Sequence, residues 1–298
     1  MNIQKIGFSM SLVLFGMGLT QAQTNNTTKF SNQGSIANTR HNLTQRQPNG
    51  GGPNGSIMDS FRNNYGEVCV YCHTPHGADA NIKLPLWNRT TLATPYKTYN
   101  QLNTSTLTQQ VSQPGANSLS CLSCHDGQTA MDSIINMPGS GRYLASQATS
   151  TNNTFLNTWP GSETGNVQHQ GLSGGECLVC HGGALPTVPD FRMAVIGTDL
   201  TNDHPVGITF PTKNGAGTDF KTPGGTQGTT RYFDSNSNGT MDSGDVRLYD
   251  NAGLAKVECA SCHDPHGVPS GGPGSTFNPT FMRVNNTGSA VCLTCHAK

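Results

Sequence analysis

Every cysteine of the chain belongs to the pattern Cys-x-x-Cys-His, which occurs five times. The ten cysteines are Cys69, Cys72, Cys121, Cys124, Cys177, Cys180, Cys259, Cys262, Cys292 and Cys295. Two thiols about one helical turn apart can add to the two vinyl groups of one porphyrin, and the histidine that follows can bind its iron. The histidines in this proximal position are His73, His125, His181, His263 and His296. We therefore predict five covalently bound c-type haems.

Zinc binding and disulfide formation are the alternatives for these cysteines. A zinc ribbon pairs two Cys-x-x-Cys units without needing a histidine after each. Cysteines of an exported protein usually form disulfides. All five repeats carry the histidine and no cysteine is left over, which favours haem over both alternatives.

The histidine count predicts the second axial ligand of each iron. The chain has ten histidines, and five of them lie outside the proximal positions: His41, His76, His169, His204 and His266. Five irons each have one further axial position, so we predict ligation by two histidines throughout. We expect the methionines, including Met193, to pack rather than to ligate.

Two of the motifs are doubled, because CVYCHTPHG (69–77) and CASCHDPHG (259–267) each place a second histidine three residues after the first. His76 cannot bind the same iron as His73, since so short a segment cannot pass around the macrocycle to its other face. His266 stands in the same relation to His263. Each doubled motif is therefore expected to hold one haem covalently and to ligate the iron of a neighbouring haem.

Residues 234–245, DSNSNGTMDSGD, fit the calcium-loop pattern except at the last position, which is aspartate instead of glutamate. Gly239 lies where such loops turn sharply. The predicted ligands are Asp234, Asn236, Asn238, Thr240, Asp242 and Asp245. The alternative is a turn rich in Asn and Asp that binds no metal.

Composition predicts an irregular fold. Apolar residues are 33% of the chain, against roughly 45–50% in ordinary globular domains when glycine is counted. We expect mostly coil, with short helices around the haem motifs, few short strands, and a stack of haems as the core. Basic and acidic residues both number 17, and no basic stripe suggests nucleic-acid binding.

The first 22 residues have the pattern of a signal peptide, with Lys5 before an apolar run and a small-residue cleavage site near Ala22. A membrane anchor is the alternative, although the run is short for a span and is interrupted by serines. We expect residues 23–298 to form one pentahaem domain, with the calcium loop in a segment at about 210–258. The protein is expected to be exported, either to the cell surface and beyond or to the periplasm.

Several stretches resemble a family of multihaem cytochromes. EVCVYCHTPHG, PLWNR, CLSCHDG, GTDLTNDHPVGITF and RLYDNAGLAKVECASCHDPHG are similar to segments of the extracellular tetrahaem cytochromes of metal-respiring bacteria, which polymerise into conductive filaments. The resemblance implies a continuous haem stack in which one iron takes a ligand from the adjoining subunit, here His76 with His41 as the alternative. This chain departs from the tetrahaem pattern at 169–181. There a fifth motif and His169 occur together, so His169 is assigned to the haem at Cys177 and Cys180.

Three functions follow from these observations. The first is an extracellular electron conduit, polymerised with itself, that receives electrons from periplasmic or outer-membrane donors and passes them to extracellular acceptors. The second is a discrete periplasmic electron carrier. The third is a multihaem reductase, which would need an iron with an open position. No Cys-x-x-Cys-Lys motif marks such an iron, so we expect no enzymatic activity.

Overall fold

The computed structural model describes residues 31–44, 57–92, 94–138, 153–159, 168–185 and 189–297. The predicted signal peptide lies outside these residues. The α-helices are α1 (Ala116–His125), α2 (Cys177–His181), α3 (Cys259–Cys262) and α4 (Ala290–Cys295). Single 3-10 turns occupy Ile36–Asn38, Ile57–Ser60, Cys69–Tyr71, Tyr99–Leu102, Asn153–Thr158, Arg192–Ala194, Pro279–Phe281 and Thr287–Ser289.

Each of the five motifs begins on a helical turn. We number them site 1 to site 5 in chain order; site 1 lies on the 3-10 turn Cys69–Tyr71, and sites 2 to 5 lie on α1 to α4. The amide of His73 donates to the carbonyl of Cys69 at 2.8 Å, and the amide of His296 donates to Cys292 at 2.9 Å. This geometry brings the histidine one turn beyond the first cysteine. The prediction of short helices around the motifs is confirmed.

A five-stranded antiparallel sheet fills much of the interval between sites 3 and 4. Its strands are β1 (Ile208–Thr209), β2 (Gly225–Gln227), β3 (Thr230–Phe233), β4 (Val246–Asn251) and β5 (Leu254–Val257), in the order β1–β5–β4–β3–β2. Asn251 pairs with Leu254 across a two-residue turn. Both residues of that turn, Ala252 and Gly253, have positive φ, as a tight hairpin requires. The sequence predicts short strands but not a sheet of this size.

Apolar side chains form three separate clusters in the described residues. The largest contains Tyr65, Val70, Tyr71, Ala130, Ile134, Met137 and Leu156. The second lies on the sheet and contains Phe210, Phe233, Val246, Leu248 and Ala255. The third contains Tyr96, Leu122 and Leu200. The chain thus has small protein cores of its own, in addition to any core that haem supplies.

Most of the described chain is coil, in agreement with an irregular fold. Within the described ranges, no helix has the length and apolar character needed to cross a bilayer.

A buried carboxylate joins site 2 to site 4. Glu258, at the N-terminus of α3, accepts hydrogen bonds from the amide of Gly115 at 3.1 Å and from the hydroxyl of Ser118 at 2.5 Å. The Ser118 oxygen in turn accepts from the amide of Cys259 at 2.8 Å. Burial raises the pKa of Glu258, although these hydrogen bonds act in the opposite direction. A Cβ at residue 115 would lie 2.6 Å from the carboxylate, so only glycine permits this approach.

Replacing Glu258 with alanine should destabilise the holoprotein by about 2–3 kcal/mol, because buried donors on α1 would lose their acceptor. Chemical denaturation of the purified holoprotein measures the change. Lys97→Ala is the control, since it breaks an exposed ion pair with Asp199 and should have no resolvable effect. Equal unfolding midpoints for Glu258→Ala and the wild type would contradict this role of Glu258.

Candidate haem sites

All ten cysteine thiols are free, and each is exposed or half-buried. No disulfide therefore competes with porphyrin attachment. Because each pair lies within about one helical turn, both thiols of a site are available to one porphyrin.

The imidazoles of the motif histidines are oriented by backbone carbonyls. In four of the five sites the Nδ1 atom lies within hydrogen-bond distance of a carbonyl oxygen from a later segment. The pairs are His73 with Pro85 at 2.9 Å, His125 with Ala194 at 2.6 Å, His181 with Pro189 at 2.7 Å and His263 with Thr280 at 2.8 Å. A carbonyl accepts only from a protonated Nδ1, so Nε2 keeps its lone pair for a metal.

Three of the predicted distal histidines are oriented in the same way. His41 Nδ1 lies 3.0 Å from the carbonyl of Pro265, and His204 Nδ1 lies 3.1 Å from that of Pro205. His266 Nδ1 lies 3.2 Å from the carboxylate of Asp264. In each case Nε2 is the nitrogen left for iron.

Two pairs of histidine rings, called the facing pairs below, have ring centres at a separation that fits one iron between them. Their ring planes are 9° apart in His73–His266 and 78° apart in His41–His125. The ring centres of His73 and His266 are 6.2 Å apart, and those of His41 and His125 are also 6.2 Å apart. A metal–imidazole bond is about 2 Å long and the ring centre lies roughly 1 Å behind the nitrogen, so two axial imidazoles have centres about 6 Å apart. Parallel rings in direct contact lie closer than His73 and His266 do, as the 4.0 Å between His181 and Phe191 shows. The residues present therefore fit haem at sites 1 and 2.

The facing pairs link different parts of the chain. His266 belongs to the doubled motif of site 4 but faces the proximal histidine of site 1. His41 comes from the N-terminal lead, where it stacks on Phe281 with ring centres 4.3 Å apart. A haem iron at either position would thus be held by the histidine of its own motif and by one residue distant in sequence.

Partial burial favours the neutral form of several of these imidazoles, which is the form that binds metal. Burial lowers the pKa of His41 to about 4, and it also lowers the pKa values of His125 and His204. His296 lies close enough to His204 to contribute to the shift of that residue. The hydrogen bond with Asp264 has the opposite effect on His266 and raises its pKa.

The two doubled motifs are closed by later segments that make equivalent backbone contacts. Residues 85–88 close site 1, and residues 280–283 close site 4. At site 1 the amide of Thr74 donates to the carbonyl of Leu86, and the amide of Asn88 donates to that of Cys72. At site 4 the amide of Asp264 donates to the carbonyl of Phe281, and the amide of Arg283 donates to that of Cys262. All four bonds measure 2.8–2.9 Å. Leu86 and Phe281 also share a positive φ. Sites 1 and 4 are therefore structural repeats, and the sequence predicts this likeness only within the motifs themselves.

Two buried arginines hold the backbone of the motifs in place. Arg89 donates to the carbonyl of Ser123 inside the site 2 motif at 2.7 Å and to that of Met131 at 2.9 Å. Arg283 donates to the carbonyl of Ala260 inside the site 4 motif at 2.9 Å and to Asp264 at 3.1 Å. Because each guanidinium bonds several carbonyls at once, it fixes the backbone that carries the cysteines. The resemblance included Arg89 in PLWNR, but the residue types alone did not indicate this role.

The remaining predicted ligands differ in their surroundings. His76 is exposed, and within the described part of the chain its ring makes no hydrogen bond. His169 is buried, with Nδ1 at 2.8 Å from Asp132 and Nε2 at 2.8 Å from Asn157. Iron ligation by His169 would require the Asn157 contact to break. Its role as a ligand stays a prediction, and so does that of His76.

The predicted calcium loop connects β3 to β4, and its carboxylates accept hydrogen bonds from the loop itself. Asp234 accepts from the amide of Gly239 at 2.8 Å, and Asp245 accepts from the amide of Ser235 at 2.9 Å. Asp242 accepts from the amide group of the Asn236 side chain at 2.7 Å. Among the described residues, no group of three or more His, Cys, Asp or Glu side chains is arranged to hold a metal ion. The loop has the geometry of a turn rich in Asn and Asp, and calcium stays a prediction.

Comparison with known proteins identifies one family. The family described as Doubled CXXCH motif matches residues 252–298, which contain sites 4 and 5. No curated protein matches the chain. The match and the five motifs support a multihaem c-type cytochrome, with covalently bound c-type haem and a role in electron transfer.

Proposed function

We propose that the chain carries five covalent haems and conducts electrons outside the cell as a polymer of itself. The facing pairs His73–His266 and His41–His125 carry this proposal. Where protein imidazoles take both axial positions, an iron has no position left for a substrate, and bound haem supplies one-electron transfer. The protein then contributes spacing, orientation and exclusion of side reactions. We therefore expect a conduit rather than an enzyme.

The proposed polymer needs a ligand that crosses between subunits. His41 lies opposite His125 of its own chain, so His76 is the candidate for the adjoining subunit. An exposed imidazole whose ring makes no hydrogen bond within the described part of the chain suits this role. Export to the cell surface, with donors in the periplasm or outer membrane and acceptors outside, completes the proposal.

Removing His266 tests the axial pairing. His266→Ala should produce one additional high-spin ferric haem per chain in electron paramagnetic resonance, because the iron opposite His73 loses its second ligand. His266→Met is the control, since a thioether should keep that iron six-coordinate while raising one reduction potential. An unchanged low-spin spectrum for His266→Ala would exclude the pairing.

Removing His76 tests the polymer. Electron microscopy of material released by the cells should show filaments for the wild type and dispersed subunits for His76→Ala, with intact mass still reporting five haems in each. His41→Ala is the matched control, because it removes a ligand inside the subunit and should leave the filaments in place. A wild-type protein that sediments as a stable monomer would instead support the discrete periplasmic carrier.

Calcium at residues 234–245 is the remaining part of the proposal. Chelation should lower the midpoint of thermal unfolding, since Asp234 and Asp242 would repel each other without the cation. Asp234→Ala should abolish the response to added calcium, whereas Asp203→Ala, outside the loop, should keep it. Identical unfolding midpoints with calcium and with chelator would show that the loop needs no metal.

A further inference from the structure

We propose that the haem at Cys177 and Cys180 is a side branch beside site 2, and that its sixth iron position is open to a small exogenous ligand because His169 does not occupy it. This inference rests on the proposal that all five motifs carry haem. It concerns site 3 alone and leaves the facing pairs at sites 1 and 2 unchanged.

His169 is enclosed, in contrast to the nine other histidines. Its exposed fraction is 3%, whereas the others are half-buried or exposed. An iron-ligating imidazole must face a space that a porphyrin can enter, and such a space leaves the ring partly open when only the protein is considered. His169 faces side chains instead, since Asp132 beside it is fully buried.

Both nitrogens of His169 already have partners. Asp132 accepts from Nδ1–H at 2.8 Å, and Asn157 lies 2.8 Å from Nε2. If the side-chain oxygen of Asn157 points at Nε2, then Nε2 must carry a proton and donate it to that oxygen. If the side-chain NH2 group of Asn157 points at Nε2 instead, the Nε2 lone pair accepts its N–H. The Nε2 lone pair is unavailable to iron in either arrangement.

His169 belongs to a hydrogen-bond network that holds separate segments together. Asp132 also accepts from the amide of Asn63 at 2.6 Å, and the Asn63 side chain donates to the carbonyl of Leu156 at 2.8 Å. His169 has a positive φ of 39°, a conformation that a residue other than glycine keeps only where its surroundings compensate. These contacts account for the residue as part of the protein core around Leu156.

The contacts of site 3 lead to site 2. The carbonyl of Pro189 orients His181, and the amide of Phe191 donates to the His181 carbonyl at 2.8 Å. A few residues later, the Ala194 carbonyl orients the imidazole of His125. On the other side, the amide of Cys177 donates to Gly171, which forms a β-bridge with Ala130 just beyond site 2.

Sites 1, 2 and 4 are connected differently, because residues in or next to their motifs join them to one another. Arg89 joins site 1 to site 2, Glu258 joins site 2 to site 4, and His266 joins site 4 to site 1. The described residues show no equivalent bond from the site 3 motif to site 1, 4 or 5. Site 3 therefore lies beside the cluster of sites 1, 2 and 4.

The surface at site 3 is open to solvent and unusually apolar. Val179, between the two cysteines, is 68% exposed. Met193 is 92% exposed, so the expectation that its side chain packs is wrong. Cys180 is exposed as well. A haem attached here is therefore accessible to small molecules, and the Met193 thioether is the nearby side chain to test as a competing ligand.

Carbon monoxide binding to the fully reduced holoprotein tests the inference, after intact mass has counted the haems. The wild type, measured as assembled filaments, should bind one carbon monoxide per chain and show one high-spin haem when oxidised. His169→Asn should bind the same amount while unfolding at a lower temperature. His41→Ala is the positive control and should bind two, because the iron opposite His125 loses its ligand.

A wild type that binds no carbon monoxide would overturn the open position. If His169→Asn then binds one, His169 is the ligand; if Met193→Ala binds one, the thioether is. A mass corresponding to four haems would also overturn the inference, because site 3 would then carry none. These outcomes are distinct from a failure of the axial pairing, which His266→Ala reports separately.

Discussion

The hydrogen bond between an imidazole Nδ1 and a backbone carbonyl is the interaction on which the haem sites depend. It occurs at four proximal histidines and at two of the predicted distal ones. Each bond selects one tautomer, orients the ring and leaves Nε2 for iron. Hydrogen-bond partners of metal-binding histidines have the same role in metal sites generally. At His41 and His125 the carbonyls come from segments far along the chain, so the orientation of these two rings and the tertiary structure are formed by the same contacts.

This dependence explains how much of the molecule its sequence could predict. Residue types and spacing are local, so the five motifs, their helical turns and the doubled histidines could be predicted from the sequence. The carbonyls that orient the rings could not, because any residue offers a carbonyl and only the fold selects Pro85 or Thr280. The size of the sheet could not be predicted for a related reason. Strands of two to six residues are too short for an alternation of apolar and polar residues to be distinctive.

The number of histidines is a limited guide to which of them ligate iron. The count treats all ten residues as equivalent, yet a histidine can also serve as an ordinary core residue when both nitrogens find partners. His169 has such partners in Asp132 and Asn157, and neither is close to it in sequence. Composition alone cannot distinguish a core histidine from an iron ligand, because the difference depends on burial and on the direction of two hydrogen bonds.

The sheet also affects the order in which the chain folds and receives its haems. Its cluster of Phe210, Phe233, Val246, Leu248 and Ala255 is built from apolar side chains, and the partly buried Cys295 packs against it. Apolar burial there supplies a driving force for folding that does not wait for a cofactor. The last motif would thus already pack against a folded sheet when the attachment enzymes add its haem. The first motif differs, because its contacts form only after segments from both ends of the chain come together.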